Sequence, residues 1–370
     1  MSKLEELIQQ YCPDGVEWKK LGEVCELARG TRVVKKDLAP NGTYPVYQNS
    51  LKPLGYYDKY NRAEETTFII CAGAAGDIGY SKVKFWSADD CFSIICPENI
   101  SNRYIFYCLT SQQNRIYSQV RKASIPRLSH SAVEALHIPV PPLPVQEEIV
   151  RILDALTELQ AELQAELQAR IQQYNYYRDK LLSFSDLGGG ISVEWKKLGD
   201  VASIKTGTKP DLMMTTKTDY EYINAGTTNS GYTNLANSDG DAITTPSRGQ
   251  GGIGFVGYQK NPFWLGPLCY KIVSLENQLL TKYLYYYLVC HNDVILKLKN
   301  TGGVPALNRQ DLISIMIPIP PIKIQQHIIS ILDRFDTLVN DISQGLPAEI
   351  EARRKQYEYY RNKLLTFKQK

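Results

Sequence analysis

Asn261-Pro262-Phe263-Trp264 comes within one residue of the Asn-Pro-Pro-aromatic pattern with which amino methyltransferases grip an exocyclic amine. The second proline is missing, and no glycine-rich loop follows a strand in a βαβ pattern to hold a methyl donor. Pro13-Asp14 ahead of Glu17-Trp18-Lys19 imitates a nuclease metal motif. Carboxylates in such a motif must converge on one cation from neighbouring strands, and two intervening residues cannot turn the chain that far. Residues 247–254 (SRGQGGIG) lack the Gly-Lys-Ser/Thr ending of a phosphate loop. Like residues 72–79 (AGAAGDIG), they read as a tight hairpin that lets backbone approach something closely. The four histidines, His130, His137, His291 and His327, have neither metal-ligand spacing nor an evident triad. Eight cysteines stand singly in apolar runs with no CxxC pair, which suits reduced, packed thiols. The expectation is a protein without catalytic residues, metal or cofactor of its own.

The elements around these residues are written twice. Residues 16–24 (VEWKKLGEV) return as 193–201 (VEWKKLGDV), 139–154 (PVPPLPVQEEIVRILD) as 318–333 (PIPPIKIQQHIISILD), and 174–184 (YNYYRDKLLSF) as 357–367 (YEYYRNKLLTF). A period near 180 residues is too long for a solenoid, so the chain is a duplicated domain pair, with its seam near residue 187. The second copy keeps Glu194 and Lys196 without a Pro-Asp before them, which favours a structural role for the Glu-x-Lys pair.

Each copy has two unlike parts. In the first part, residues 66–73, 91–98 and 268–276 read as strands between glycine- and asparagine-rich turns. Residues 103–116 and 282–296 repeat apolar positions at three and four, as helices do. In the second part, Pro-rich lead-ins introduce long stretches without internal glycine or proline. Residues 145–184 could run as one helix of roughly 60 Å, with a seam of Ile149, Ile152, Leu153, Leu156, Leu159, Leu163, Leu167 and Ile171. The second helix carries Gly345 and Pro347, which should break and restart it near Pro347. Two such stripes pack most simply on each other, antiparallel, with a globule at each end. The expected fold is therefore α+β: two mixed α/β globules separated by two long antiparallel helices, with an internal pseudo-twofold repeat.

Residues 157–168 write one four-residue unit three times, TELQ-AELQ-AELQ. One unit more or less lengthens a helix by about 6 Å and rotates the downstream residues by only about 40°, so the seam survives while the spacing changes. Net charge is +3, but residues 144–170 carry −4, which leaves +7 elsewhere. Arg29, Arg32, Lys35, Lys36, Arg121, Lys122 and Arg127 contribute to that excess, as a phosphate-facing surface would. No signal peptide and no apolar run of membrane-spanning length appears, so a soluble, cytoplasmic protein with no membrane partner is expected.

Taken together, the duplicated Val-Glu-Trp-x-x-Leu-Gly opening, the Ile-Pro-x-Pro-Pro-x-x-x-Gln lead-in and the Ala-Arg-x-x-Gln-Tyr-x-Tyr-Tyr-Arg helix end resemble the DNA-specificity subunit of Type I restriction–modification enzymes. The resemblance covers essentially the whole chain. It implies a non-catalytic subunit in which each globule is a target-recognition domain for one half of a bipartite double-stranded DNA sequence. The helices would set the gap and dock two modification (methyltransferase) subunits, and restriction subunits would join the full complex. The segments expected on this basis are 1–140 and 191–319 for recognition, and 141–190 and 320–370 for the helical spacer.

Bases are read by Arg on guanine and by Asn or Gln on adenine, with small hydroxyls beside them, while Lys and Arg elsewhere hold phosphates. The candidates in the first globule are Arg29, Thr31, Arg32, Lys35, Gln48 and Asn49, with Tyr47 and Ser50 beside them. In the second they are Lys205, Thr208, Lys209, Ser247, Arg248 and Gln250, with Asn224 and Thr227. Residues 124–129 and 303–308 form a second tier, and the Tyr-rich helix ends suit packing or subunit docking better than base stacking. The competing readings are a stand-alone methyltransferase or nuclease and a coiled-coil scaffold without DNA readout.

Overall fold

The two sequence landmarks of each copy turn out to be each other's partners. Strand Glu17–Lys20 runs antiparallel to His137–Val140 with Trp18 opposite Pro139, and Glu194–Lys197 to Met316–Ile319 with Trp195 opposite Pro318. The amides of Leu21 and Leu198 close these ribbons on the carbonyls of Leu136 and Ile315, both at 2.7 Å. The duplicated motifs thus tie the start of each globule to its end. A computed structural model describes residues 2–184, 193–275, 278–300 and 302–370. The seam near residue 187 lies outside the described residues.

Between the ribbons, both globules follow one topology. In the first, an antiparallel sheet orders Glu26–Arg29, Cys91–Ile95, Thr66–Ile70 and Ile78–Ser81. A second sheet pairs Tyr44–Tyr47 with Gly55–Tyr57 and, in parallel, with Trp86–Ser87. In the second globule the corresponding strands are Ala202–Thr206, Cys269–Ser274, Ala242–Pro246 and Gly257–Gln259, then Tyr220–Ile223 with Gly231–Thr233 and Trp264–Leu265. Thr66–Ile70 and Ala242–Pro246 are buried along their whole length, as central strands covered on both faces must be.

Helices Asn102–Ser111 and Thr281–Cys290 cover these sheets and carry six of the chain's 25 tyrosines. Tyr104 and Tyr283 are buried to within 1% of full enclosure, yet each hydroxyl donates to the carbonyl of the ribbon proline, Pro139 at 3.1 Å and Pro318 at 2.9 Å. A phenylalanine would fill the space but leave those carbonyls unpaired.

The first long helix is continuous from Leu143 to Ser183. Its counterpart is broken, Ile322–Asn340 followed by Leu346–Leu364. At the break the Asp341 carboxylate accepts hydrogen bonds from the Ser343 amide and hydroxyl and from the Gln344 amide. Gly345 lies so close to the Thr337 carbonyl that a Cβ would fall 2.4 Å from it. Pro347 then occupies the second position of the new helix, where no intrahelical amide is needed.

The chain divides into two compact units, Met1–Gln164 with Ile350–Lys370, and Ala165–Glu349. Each globule is therefore closed by the helix end belonging to the other copy. In the first unit Val145, Ile149 and Leu153 are fully buried beside Leu21, Ile105 and Leu365. Tyr357 lies at Thr157, while Leu365 and Thr366 share a cavity wall with Trp18 and Pro139, so the two helix segments run antiparallel. In the second unit Tyr177 stacks on Phe335 at 5.8 Å, and Leu181 and Phe184 line one groove with Ile324 and Ile328, again antiparallel. Along the first long helix no residue is fully buried between Leu153 and Tyr174, so the four-residue repeat belongs to neither core.

Candidate nucleic-acid interface

Three loops meet at one edge of each globule. In the first, the Asn49 carbonyl accepts from the Ala74 amide at 2.9 Å, and the Pro126 carbonyl from the Gly73 amide at 3.2 Å. Gly73 sits at φ +85° with no space for a side chain, since a Cβ would meet Asn49 at 2.9 Å. In the second, the Gly249 amide donates to the Pro305 carbonyl at 3.0 Å and the Leu307 amide to the Ser247 carbonyl at 2.8 Å. Gly252 lies against Gly226 and brings in the loop that carries Asn224 and Thr227.

The matching positions carry different side chains. Ala72 bridges Arg127 in the first globule, whereas Arg248 bridges Ala306 in the second. One arginine is kept in each pair, but it comes from the opposite loop. Arg121 and Asn300 take the next position of the same hairpins. Arg29 and Arg127 both lie near the buried Cys71. Burial, then Asp90, pushes that thiol up to about 11 against the two guanidiniums. In the second globule Arg248 and Arg309 lie near Tyr270, whose phenol is pushed upward chiefly by burial.

The structure brings together only part of the residues chosen from sequence. Asn49, Gln48 and Arg29 fall at or beside the first loop cluster, and Ser247, Arg248 and Gln250 on the second. Thr31 and Thr208 occupy equivalent places on the flank. Each accepts an indole N–H on its carbonyl at 2.8 Å, from Trp86 and Trp264, and leaves its side chain exposed. Arg32, Lys35 and Lys209 are exposed there too, with Lys35 in a short turn, Lys35–Asp37, beside the three-stranded sheet. Lys205 lines a separate groove of about 600 Å³ with Arg309 and Gln310. Tyr47 is packed on Phe68 at 4.6 Å, and the Asn224 carboxamide oxygen accepts the Leu268 amide at 2.9 Å, so both serve the frame. The second-tier segments 124–129 and 303–308 belong to the loop edge. Arg121 is visible in sequence only as part of the basic excess, and Asn300 gives no signal at all.

The discounted chemistry is accounted for by packing. Phe263 is buried in the second core, Trp264 caps the Thr208 turn, and Glu17 pairs with Lys19 at 2.7 Å on its own strand. Among the described residues no group of three or more His, Cys, Asp or Glu stands together as metal ligands would. No described helix is long and apolar enough to cross a membrane. What the edge presents is exposed guanidinium, carboxamide and hydroxyl groups on loops packed against glycine-bearing turns, the donors and acceptors that contact phosphates and base edges.

Residues 13–173 and 192–352 each match the family described as Type I restriction modification DNA specificity domain. The chain belongs to that family: it is a DNA specificity subunit of a Type I restriction–modification system, with two target-recognition domains and no catalytic role of its own. It is 33% identical over 407 residues to the EcoR124I/EcoR124II specificity subunit of Escherichia coli, covering 99% of this chain and 97% of that one. A putative Type I specificity subunit of Haemophilus influenzae is 32% identical over 384 residues, 95% and 96% of the two chains. The fold is similar to that of the S subunit crystal structure from M. genitalium, with a TM-score of 0.72 at 19% identity over 95% of this chain and 97% of that one.

Proposed function

We propose that each globule reads one half of a bipartite double-stranded DNA target through its three-loop edge, and that the long helices fix the gap between the halves. The recognition segments are 1–140 and 191–319, and the spacer segments 141–190 and 320–370. Arg127 with Asn49 and Gln48, and Arg248 with Ser247 and Gln250, are the base-reading groups. Arg29, Thr31, Arg32, Lys35, Lys205, Thr208 and Lys209 hold phosphates or flank them. Two modification subunits dock on the helices and supply methylation, restriction subunits complete the assembly, and the complex works in the cytoplasm.

The observation that carries this reading is the exchanged arginine. The loop frame is the same in both globules, while Ala72 and Arg127 in one become Arg248 and Ala306 in the other. A packing role would keep the residue in place, whereas reading two different half-sites requires it to change. Methylome sequencing of cells expressing this chain with its modification subunit tests the reading. A methylated motif of two unlike halves around a fixed gap is expected, and methylation without a bipartite motif contradicts it.

A further inference from the structure

The first globule holds two sulfurs side by side at a place where the second holds none. Cys25 follows the duplicated Val-Glu-Trp opening, and Cys96 follows the strand Cys91–Ile95. Strand Glu26–Arg29 pairs antiparallel with Cys91–Ile95, Glu26 opposite Ile95, so Cys25 and Cys96 face each other on the next rung. Their Sγ atoms lie 3.2 Å apart, in hydrogen-bond contact, and both thiols are free. Cys71, Cys91, Cys269 and Cys290 meet carbonyl or carboxylate oxygens instead. At the same rung of the second globule Ala202 faces Ser274. The frame therefore folds without sulfur here, and the paired thiols belong to the first copy alone.

We propose that Cys25 and Cys96 are a reversible oxidation site, a thiol pair that closes to a disulfide and staples the first sheet. Residues directly opposite in an antiparallel ladder hold their Cα atoms about 4.5–5.5 Å apart, inside the range of about 4.4–6.8 Å that a disulfide spans. Closure therefore asks for side-chain rotation and not for movement of the strands. Cys25 is buried, while Cys96 is half-buried, so an oxidant meets Cys96 first. With hydrogen peroxide as the oxidant, the Cys96 sulfur takes one oxygen of the O–O bond to become a sulfenic acid, and the other oxygen leaves as water. The Cys25 sulfur then attacks the oxidised sulfur, and its proton leaves with the hydroxyl as a second water. Two thiols have lost two hydrogens, one S–S bond has formed, and the peroxide has been reduced to two waters. The neighbouring Cys25 sulfur, and then burial, push the Cys96 thiol upward and keep it protonated at neutral pH. Because the thiolate is the nucleophile, the site answers sustained rather than brief oxidant. The bond joins positions 71 apart in sequence, and so removes the freedom of a long loop from the unfolded chain. It lies at the end of the ladder opposite Arg29, so it secures the first globule without entering the loop edge.

Peroxide treatment of the full chain, followed by non-reducing mass spectrometry and thermal unfolding, tests the proposal. A peptide linking Cys25 to Cys96, lighter by two hydrogens, is expected, and dithiothreitol should restore both thiols. Closure should raise the unfolding midpoint by about 5 °C or more, reversed by the same reductant. Cys25→Ala and Cys96→Ser place here the residues that the second copy carries on this rung, so both variants should fold and lose the peroxide-dependent shift. Two free thiols after prolonged peroxide, irreversible oxidation of either sulfur, or a bond from Cys25 to Cys108 would each overturn the site. A Cys25–Cys96 bond that leaves the midpoint unmoved would overturn the staple. The experiment needs neither DNA nor a partner subunit, so its failure leaves the proposed function untouched.

Discussion

Tyr107 donates its hydroxyl hydrogen to the Asp154 carboxylate across 2.5 Å, and Tyr286 does the same to Asp333 at 2.5 Å. A cation completes each set: Arg103 pairs with Asp154 at 2.7 Å and Lys282 with Asp333 at 2.8 Å. These residues come from the helix that covers each sheet and from the long helix behind it. They fix the recognition globule to the spacer at the same point in both copies. The proposed ruler can only set a gap if its ends are held, and these contacts would hold them.

Tyr107→Phe removes one hydrogen bond to a carboxylate and changes little else. It should cost about 1–3 kcal/mol of stability in the first unit, read as a lower urea midpoint. Tyr286→Phe should do the same in the second. A variant of unchanged stability that also left the gap unchanged would show that the contact holds nothing.

Gln146 and Gln325 make a similar prediction from burial. Gln146 accepts the Ser101 amide at 2.9 Å and donates to the Asn99 and Pro141 carbonyls. Gln325 accepts the Leu280 amide at 2.9 Å and donates to the Gln278 and Pro320 carbonyls. Replacing either by leucine takes the side-chain partner from a half-buried amide and two carbonyls. A loss of about 3 kcal/mol is expected, visible by calorimetry, and a neutral substitution would rule this role out.

Arg127→Ala and Arg248→Ala should each relax one half of the DNA target and spare the other. A good bidentate pair discriminates by about 1–3 kcal/mol. Binding to duplexes with single changes in either half, measured in the complex with modification subunits, separates the outcomes. A uniform loss across all sequences would place these arginines on phosphates instead.

The first unit should also weaken in acid in a defined window. Chiefly the Arg151 hydrogen bonds at 2.6 and 3.0 Å, with Lys3 helping, hold Glu148 down to about 2 against the penalty of its burial. A carboxyl lowered in the folded state contributes stability that is present above its unfolded value near 4.5. That stability fades as pH falls toward 2. Glu148→Gln should flatten the acid limb of a stability–pH curve and loosen the N-terminal helix at neutral pH. An unchanged acid limb would mean the pair contributes nothing.

The frame was legible in sequence because duplication left its mark on the residues that carry it. Trp18 with Pro139 and Trp195 with Pro318 are motif residues that pair with each other, and the helix break at Gly345 and Pro347 follows from local chemistry. The pairing of the helices was legible too, since two apolar stripes laid antiparallel with a globule at each end bring each helix end to the other copy's globule. The N-terminal helix escaped notice, being one short stripe without a repeat. Among candidate reading residues, Arg248 stood out by its glycine-rich setting. Arg127 stood lower, since its facing of Ala72 is a tertiary pairing between loops about fifty residues apart.

The most direct test of the account is to delete one repeat unit, Ala161 to Gln164, and sequence the methylome. The segment is helical and belongs to neither core, so both globules should fold as before. The account predicts the same two half-sites separated by a gap shorter by about one or two base pairs, since one unit removes about 6 Å against 3.4 Å per base pair. An unchanged gap, or altered half-sites, would contradict it.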